Sequence, residues 1–344
     1  MRVPRSAGMS AAPVSDVGAL VSGTSRGRGS PRVSRGRAGT VKRHCTTTSE
    51  TATSLGLTNY TYLGGNSWFA EMGVSSVKVL CDPWLVGDLT FWDLPALYTG
   101  RKASLAGGPQ DWMAIAKRAD VILLSQGWED HTHRPTLKSL PKDIPVVGSP
   151  SACNVATELG FTNVTALHAN DKVTVKQRGN GDISDGQKQN SEPLVIHATR
   201  GAQVGPPWSE RECGFFLADG KDGVRVYYEP HCSYDELSVR QGLRAVGNKV
   251  HLCITPVMSV DVFGFPLVSG GDEAVDLLEV LNRPKLVVPL RNGELEQEGI
   301  STVALGTDGT TGDTFKRLCD ARFGVGEIKT RMPTPGETIE IVGT

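Results

Sequence analysis

Two short stretches of this sequence concentrate groups able to hold a metal or move a proton. One is Asp130-His131-Thr132-His133, after the apolar run Val121-Ile122-Leu123-Leu124; the other is Glu229-Pro230-His231, after Val226-Tyr227-Tyr228. Asp130, His131 and His231 offer one carboxylate and two imidazoles, the donor types of a two-histidine, one-carboxylate site. Glu229 is placed to assist. Other chemistries lack their frames. Ser125 has no G-x-S-x-G around it, and Gly64-Gly65 is not followed by Lys-Ser/Thr, so it reads as a turn and not a phosphate loop. The seven cysteines are an odd count, form no CxxC pair and mostly sit in apolar runs, which points to buried, reduced thiols. His133 reads as a loop histidine that faces solvent or caps the following helix. His168, His197 and His251 lie singly in or beside strand-like runs and read as structural.

Strands and helices must carry those stretches to one place. Val121-Ile122-Leu123-Leu124 is short and wholly apolar, as expected of a strand buried on both faces. Ser149, Pro150 and Gly160 bracket a helix as N-cap, first helical residue and terminator. Pro135 marks the first turn of another. Before these, TNYTYLGGNSWFAEM and SVKVLCDPWL read as strands turning at Gly64-Gly65. The stretch from Trp84 to Leu105 reads as an irregular aromatic loop, with Trp84, Phe91, Trp92 and Trp128 at a pocket mouth. After it come KVTVKQ and PLVIHATR, a hairpin around a polar, Gly-rich loop, then the strands CGFFLAD and VRVYYEP. A helix from about Tyr234 to Leu243 precedes HLCITPV, GDEAVDLLEVLN, KLVVPL and GDTFKRLCDARF, which alternate strand and helix, and GETIEIV is an edge strand. The two halves share one plan, hairpin strands and then alternating helices and strands, so residues 58–342 are expected to form a single domain.

Three motifs in that order resemble the metallo-β-lactamase superfamily, and within it the ascorbate-6-phosphate lactonase-like branch with its plastid and cyanobacterial relatives. TYLGGNSWF followed by VLCDPWL is similar to the family's TxxGHSxxL and a strand ending in Asp-Pro. VILLSQGWEDHTH stands where the family has a strand ending in HxHxDHxH. VYYEPH, then ITPV, GGDEA and VVPLRNG, stand where it has a strand ending in Gly-Asp and a later Pro-x-His. The resemblance implies an α/β fold, the four-layer αβ/βα sandwich, and hydrolysis assisted by one or two metal ions, usually zinc. It also implies that most ligands are replaced. Gln126 and Trp128 fall on the first two histidines, Gln203 near the mid-chain histidine, His231 near the bridging aspartate and Arg291 near the last histidine. The Asp-His pair is kept as Asp130 and His131, and Asp82 would orient His131 from behind. Two outcomes stay open: one divalent metal, zinc or similar, on Asp130, His131 and His231, or no metal and a hydrogen-bonded remnant of its site. Gln126, Trp128, Gln203 and Arg291 are then expected to contact substrate, Arg291 as a fixed cation for an anionic group.

Residues 1–49 carry eight Arg, one Lys and one acid, Asp16, a charge of +8 in a chain of net −1. The remainder therefore carries −9, and an acidic body without a basic stripe argues against nucleic acid as a partner. The first fifty residues are Arg- and Ser-rich and lack a secretory apolar core, which suits a disordered transit peptide for a chloroplast or, alternatively, a mitochondrion. With no run long enough to span a membrane, the expected partner is a small anionic metabolite: an ester, lactone or phosphorylated compound. The alternative function is a catalytically silent member that binds a ligand or partner in the plastid.

Overall fold

The computed structural model describes residues 56–343, apart from 106–110, 179–191, 204–210 and 291–294. The expected transit segment, the centre of the Gly-rich hairpin loop and Arg291 lie outside the described residues. The rest is built on two seven-stranded sheets.

Period-two patterning places side chains on both faces of each sheet. In the strand Val121–Leu124, Val121 and Leu123 face the core between the sheets, while Ile122 and Leu124 face helices. The strand Cys213–Asp219 does the same with Phe215 and Leu217 inward and Phe216 and Ala218 outward. The first sheet runs Thr338–Val342, Leu57–Gly64, Ser67–Glu71, Lys78–Cys81, Val121–Leu124, Val146–Gly148, Val164–Ala166. Helices Trp112–Lys117, Arg134–Lys138 and Pro150–Glu158 cover its outer face through Trp112, Leu137 and Ala152. The second sheet runs Lys329–Thr330, Leu286–Leu290, Leu252–Pro256, Arg225–Tyr228, Cys213–Asp219, Leu194–Arg200, Lys172–Val175. Helices Glu236–Ala245, Gly271–Val280 and Gly312–Phe323 cover it through Leu243, Leu277 and Phe315. The result is the expected four-layer αβ/βα sandwich, its middle filled by residues such as Trp68, Phe215 and Tyr228.

Local signals explain the helix ends. Ser149 accepts from the Ala152 amide, Pro150 opens the helix, and Gly160 leaves it at φ +89°, each as the residue types demand. The helix read from Tyr234 instead starts at Glu236, where Asp235 accepts the Ser238 amide at 2.8 Å.

Parallel pairing fixes where loops gather. Lys78–Cys81 and Val121–Leu124 run parallel, as do Arg225–Tyr228, Leu252–Pro256 and Leu286–Leu290. In each parallel set the C-terminal ends share one edge, so Asp82, Ser125 and the residues after Tyr228 emerge beside their neighbours.

The aromatic stretch departs from the sequence reading. It contributes Leu89–Thr90 and Thr99–Arg101 to a small sheet completed by Glu296–Glu298. A second small sheet joins Val260–Val262, Phe265–Val268 and Leu305–Thr307.

Candidate metal centre and cleft

The strand Lys78–Cys81 ends at Asp82, whose backbone is held at φ +39°, a left-handed conformation costly for a side chain with a Cβ. Its fully buried carboxylate repays that strain. Oδ1 accepts the Ser125 amide at 2.8 Å; Oδ2 accepts the Tyr228 hydroxyl at 2.6 Å and His131 Nδ1–H at 2.7 Å, and the Ser125 hydroxyl also donates to it. One carboxylate thus ties three strand ends together and fixes the His131 tautomer, so that Nε2 points the other way. Asp82 sits behind His131, as the resemblance implied.

On that other side, His131 Nε2 lies 3.1 Å from Asp130 Oδ2. The Asn66 amide completes a triangle: its Nδ2 is 3.2 Å from His131 Nε2 and donates to Asp130 Oδ2 at 3.4 Å. Burial alone would push the His131 imidazole down, but Asp130 and Asp82 on its two nitrogens overcome this and raise it to about 10. Burial likewise works against the Asp130 anion, yet the His131 charge holds that carboxyl below its usual range. His231 stands edge-on to His131, ring centres 5.4 Å apart. Burial, seconded by the His131 charge, lowers His231 to about 3, which leaves it neutral. Its Nδ1 accepts from Gln126 Nε2 at 3.1 Å. Asp130, His131 and His231 each offer one ligand atom, and these lie within 4.8 Å of one another. The expected trio converges.

Glu229 is not among the converging donors. It holds the loop that carries His231, accepting the His231 amide at 3.2 Å and the Ser233 amide at 3.0 Å. Burial raises its carboxyl to about 7, against the pull of those amides.

Asp130 and His231 open into a cleft of about 380 Å³, with His131 buried behind them. Gln126 and Trp128 line it, and Trp84, Phe91 and Trp92 wall one side. Trp128 packs edge-on against Trp92 and Phe91, at 5.9 and 6.4 Å. Gln203 is exposed and does not line the cleft. Among the described lining residues there is no Lys or Arg, and Asp130 is the one charged group. Arg291, the cation that the sequence reading set against an anionic metabolite, lies outside the described residues.

His133 stands at the N-cap of the helix Arg134–Lys138, as one of the two sequence readings had it, but it is buried and not solvent-facing, and its side chain bonds no helix amide. The Thr136 hydroxyl donates to its Nδ1 at 2.9 Å, its Nε2–H donates to the Asp88 carbonyl at 3.2 Å, and its ring lies 5.8 Å from that of Trp84. Burial holds it at about 4. Thr136 is on the following helix, but Asp88 and Trp84 belong to the aromatic stretch, so local spacing gave no hint of them.

Three contributors escaped sequence reasoning. Asn66 follows Gly65, which turns the first hairpin at φ +57°; its signal was its place between Gly65 and Ser67 in the first motif. Tyr228 looked like core and is core, except for its hydroxyl. Lys102 is buried, donating to the carbonyls of Gly64 at 2.7 Å and Trp84 at 2.8 Å and to Ser67 Oγ at 3.0 Å. It pins the Asn66 turn to the Asp82–Trp84 loop. Nothing in its surrounding sequence, TGRKASL, announces that.

A sequence profile described as the beta-lactamase superfamily domain matches residues 59–291. Among solved structures the fold is similar to a possible metal-dependent hydrolase from Veillonella parvula DSM 2008, with 14% identity and a TM-score of 0.56 over 82% of this chain and 99% of that one. It is also similar to isothiocyanate hydrolase from Delia radicum gut bacteria, with 16% identity and a TM-score of 0.52 over 83% of this chain and 99% of that one. A search among curated proteins finds no match. Among the described residues no helix is long and apolar enough to cross a membrane.

Proposed function

Since this chain belongs to the beta-lactamase superfamily, we propose that it is a hydrolase working with one divalent ion held by Asp130, His131 and His231. The convergence of these three donors within 4.8 Å carries the reading. The site fits such an ion. Donors about 2.0–2.2 Å from a metal lie about 3.0–3.5 Å from one another; the Asp130 and His131 ligand atoms are 3.1 Å apart, and that of His231 lies within 4.8 Å of both. The buried Oδ1 of Asn66 and Oε1 of Gln126 have no partner among the described residues, which leaves two acceptors for the ion or a substrate. An ion bound there supplies a Lewis acid and an acidified water.

The chain's own residues do the rest. Asp82 holds His131 by its Nδ1–H and aims Nε2 at the site, and the Nε2 proton that Asp130 holds there would leave as an ion binds. Neutral His231 presents a lone pair. Asp130, its side chain 29% exposed to the cleft, is the carboxylate able to hold or take a proton from a water beside it. Gln126 and Trp128 stand where the family pattern has histidines, and Trp128 has no donor lone pair to offer, so we assign one ion and not two. The LGGNSWF and LCDPWL motifs support a place near the ascorbate-6-phosphate lactonase-like branch. The acid-poor leader supports import into a chloroplast.

A second reading is a silent, ligand-binding member. It is favoured by the His131 ring, which is already satisfied between Asp82 and Asp130 without any ion.

Elemental analysis tests the choice. Protein loaded with Zn²⁺ or Mn²⁺ and then dialysed should retain about one equivalent, and His231→Gln or Asp130→Asn should retain far less. No retained metal in the unaltered protein supports the silent reading, and two equivalents overturn the one-ion assignment.

A further inference from the structure

The cleft walls are far less polar than its floor. Asn66, Gln126, Asp130 and His231 cluster at the inner end. One wall is Leu89, Phe91, Trp92 and Leu97; the other is Val260, Val262, Leu267 and Leu305. A phosphate or carboxylate placed against those walls would lose its water with nothing in exchange, whereas a hydrocarbon chain would gain by the transfer.

The same character continues outside. Phe263 and Phe265, at the turn joining Val260–Val262 to Phe265–Val268, are 78% and 77% exposed. Phe263 holds φ +51° and Gly264 φ +78°, in a turn that ordinarily takes Asn-Gly. An aromatic ring there strains the backbone and contributes nothing to the core. Hydrogen bonds join this turn to its neighbours. The Phe263 amide donates to the Ala304 carbonyl at 2.9 Å, beside exposed Val303, and the Ile300 amide donates to the Ala96 carbonyl at 3.1 Å, beside exposed Leu94. Phe265, Phe263, Val303, Ile300, Leu94 and Trp92 are thus a band of exposed apolar residues on segments that these bonds join, next in sequence to the cleft-lining Val262, Leu267, Ser301 and Leu305. Exposed apolar residues gathered beside a cleft mark a binding surface.

We propose that the cleft takes a single-chain amphiphile: an uncharged acyl ester whose carbonyl sits at the Asp130–His231 floor and whose hydrocarbon chain lies along the walls and over the Phe263–Val303 band. This rests on the reading of the floor as a hydrolytic centre. In the reaction one water is consumed. Its oxygen joins the acyl carbon, the acyl C–O bond breaks, and the leaving alkoxide takes up a proton to become the alcohol.

Chain length tests this. Straight-chain methyl ketones of four to fourteen carbons, which are uncharged and not hydrolysed, are titrated into chelator-treated full-length protein with tryptophan fluorescence as readout. Affinity should rise about fourfold per methylene up to the longest ketones, as the chain passes from the walls to the band. Phe263→Asn with Phe265→Ser should weaken the longest ketones at least tenfold and leave the shortest unchanged, since Asn tolerates the turn and both rings are exposed. With metal restored, hydrolysis of p-nitrophenyl esters should follow the same length dependence in kcat/KM. Affinity independent of chain length, or tighter binding of short phosphate esters than of the ketones, would overturn the proposal. The titration needs no ion, so its failure is distinct from failure of the metal assignment. Graded ketone binding without esterase activity would count against the hydrolytic floor and leave the chain site standing.

Discussion

Asp82→Asn isolates what the carboxylate behind His131 contributes. Asn has nearly the same shape and tolerates a left-handed backbone, so the φ of +39° is not what the substitution disturbs. Its amide, however, is a donor on one side. Asp82 accepts only: Oδ1 from the Ser125 amide, Oδ2 from Tyr228, Ser125 Oγ and His131 Nδ1. Whichever way an Asn side chain turns, its NH₂ meets at least one buried N–H or O–H head-on. Each hydrogen bond to a charged acceptor is worth about 1.5–3 kcal/mol, and a stranded buried donor costs about 1–3 kcal/mol. Hydroxyls can rotate to find other acceptors, so we expect a net loss of about 3–5 kcal/mol, the range for breaking a buried charged pair. Urea unfolding of the unaltered and variant proteins measures this from the midpoint shift at constant m-value. Calorimetric Zn²⁺ titration should show a 10–100-fold weaker ion, the usual effect of removing the group that orients a metal-binding imidazole. A stability loss under about 1 kcal/mol, within the range of an ordinary surface change, refutes the reasoning that Asp82 knots the strand ends together.

Lys102→Met removes the ammonium that serves the carbonyls of Gly64 and Trp84 and strands both; we expect a loss of about 2–4 kcal/mol, read by urea unfolding, with weaker metal binding because Asn66 is no longer pinned. His251 lies away from the cleft, and burial, with lesser help from nearby Lys249 and Arg225, lowers it from its usual 6.5 to about 4. Between those values the unfolded chain binds a proton that the folded chain refuses, so its contribution is complete above about pH 6.5 and lost as pH falls through about 4. That contribution is at most about 3 kcal/mol, and His251→Asn should flatten the slope of urea stability against pH in that window. Chelator treatment should leave the far-ultraviolet circular dichroism unchanged, since neither sheet core draws on the three donors. Gln126→His with Trp128→His restores the imidazoles of the family pattern and should raise bound zinc above one equivalent by elemental analysis.

How much of this was legible in the sequence follows the range of the interactions. The Ser149–Gly160 helix could be read because its cap, first proline and terminating glycine act on their own backbone. The strand Val121–Leu124 could be read because burial on both faces leaves four apolar residues in a row. The convergence of Asp130 with His231 could be expected because both follow strands that, in the fold the sequence resembles, end on the same edge. The walls of the cleft could not. Leu89–Thr90 pairs with Thr99–Arg101, which pairs with Glu296–Glu298, strands of two or three residues brought together across two hundred positions. Strands so short have no measurable period, and their pairing is decided by the sandwich beneath them. The same holds for His133: its partners, Asp88 and Trp84, lie some fifty residues upstream.

The two residues that depart most from the family pattern also connect the floor to the walls. A histidine at position 126 would present a donor to a second ion; Gln126 instead donates to His231 Nδ1 and is 1% exposed, so it spends its amide on the remaining site. A histidine at position 128 would add a polar, ionisable ring to the cleft; Trp128 packs with Phe91 and Trp92 and extends the apolar wall to the edge of the Asp130 carboxylate. Losing a ligand and gaining a hydrophobic surface are here one substitution. An indole in this place excludes water from a flank of the site, and lower polarity strengthens the attraction between the remaining charges. A floor with fewer ligands is thereby matched to a wall that binds hydrocarbon, and Trp128→His should weaken long-chain ketones as it improves metal retention. If both properties move together in that variant and in those directions, the one-ion floor and the apolar cleft are a single design; if ketone binding is unchanged, Trp128 belongs to the metal story alone.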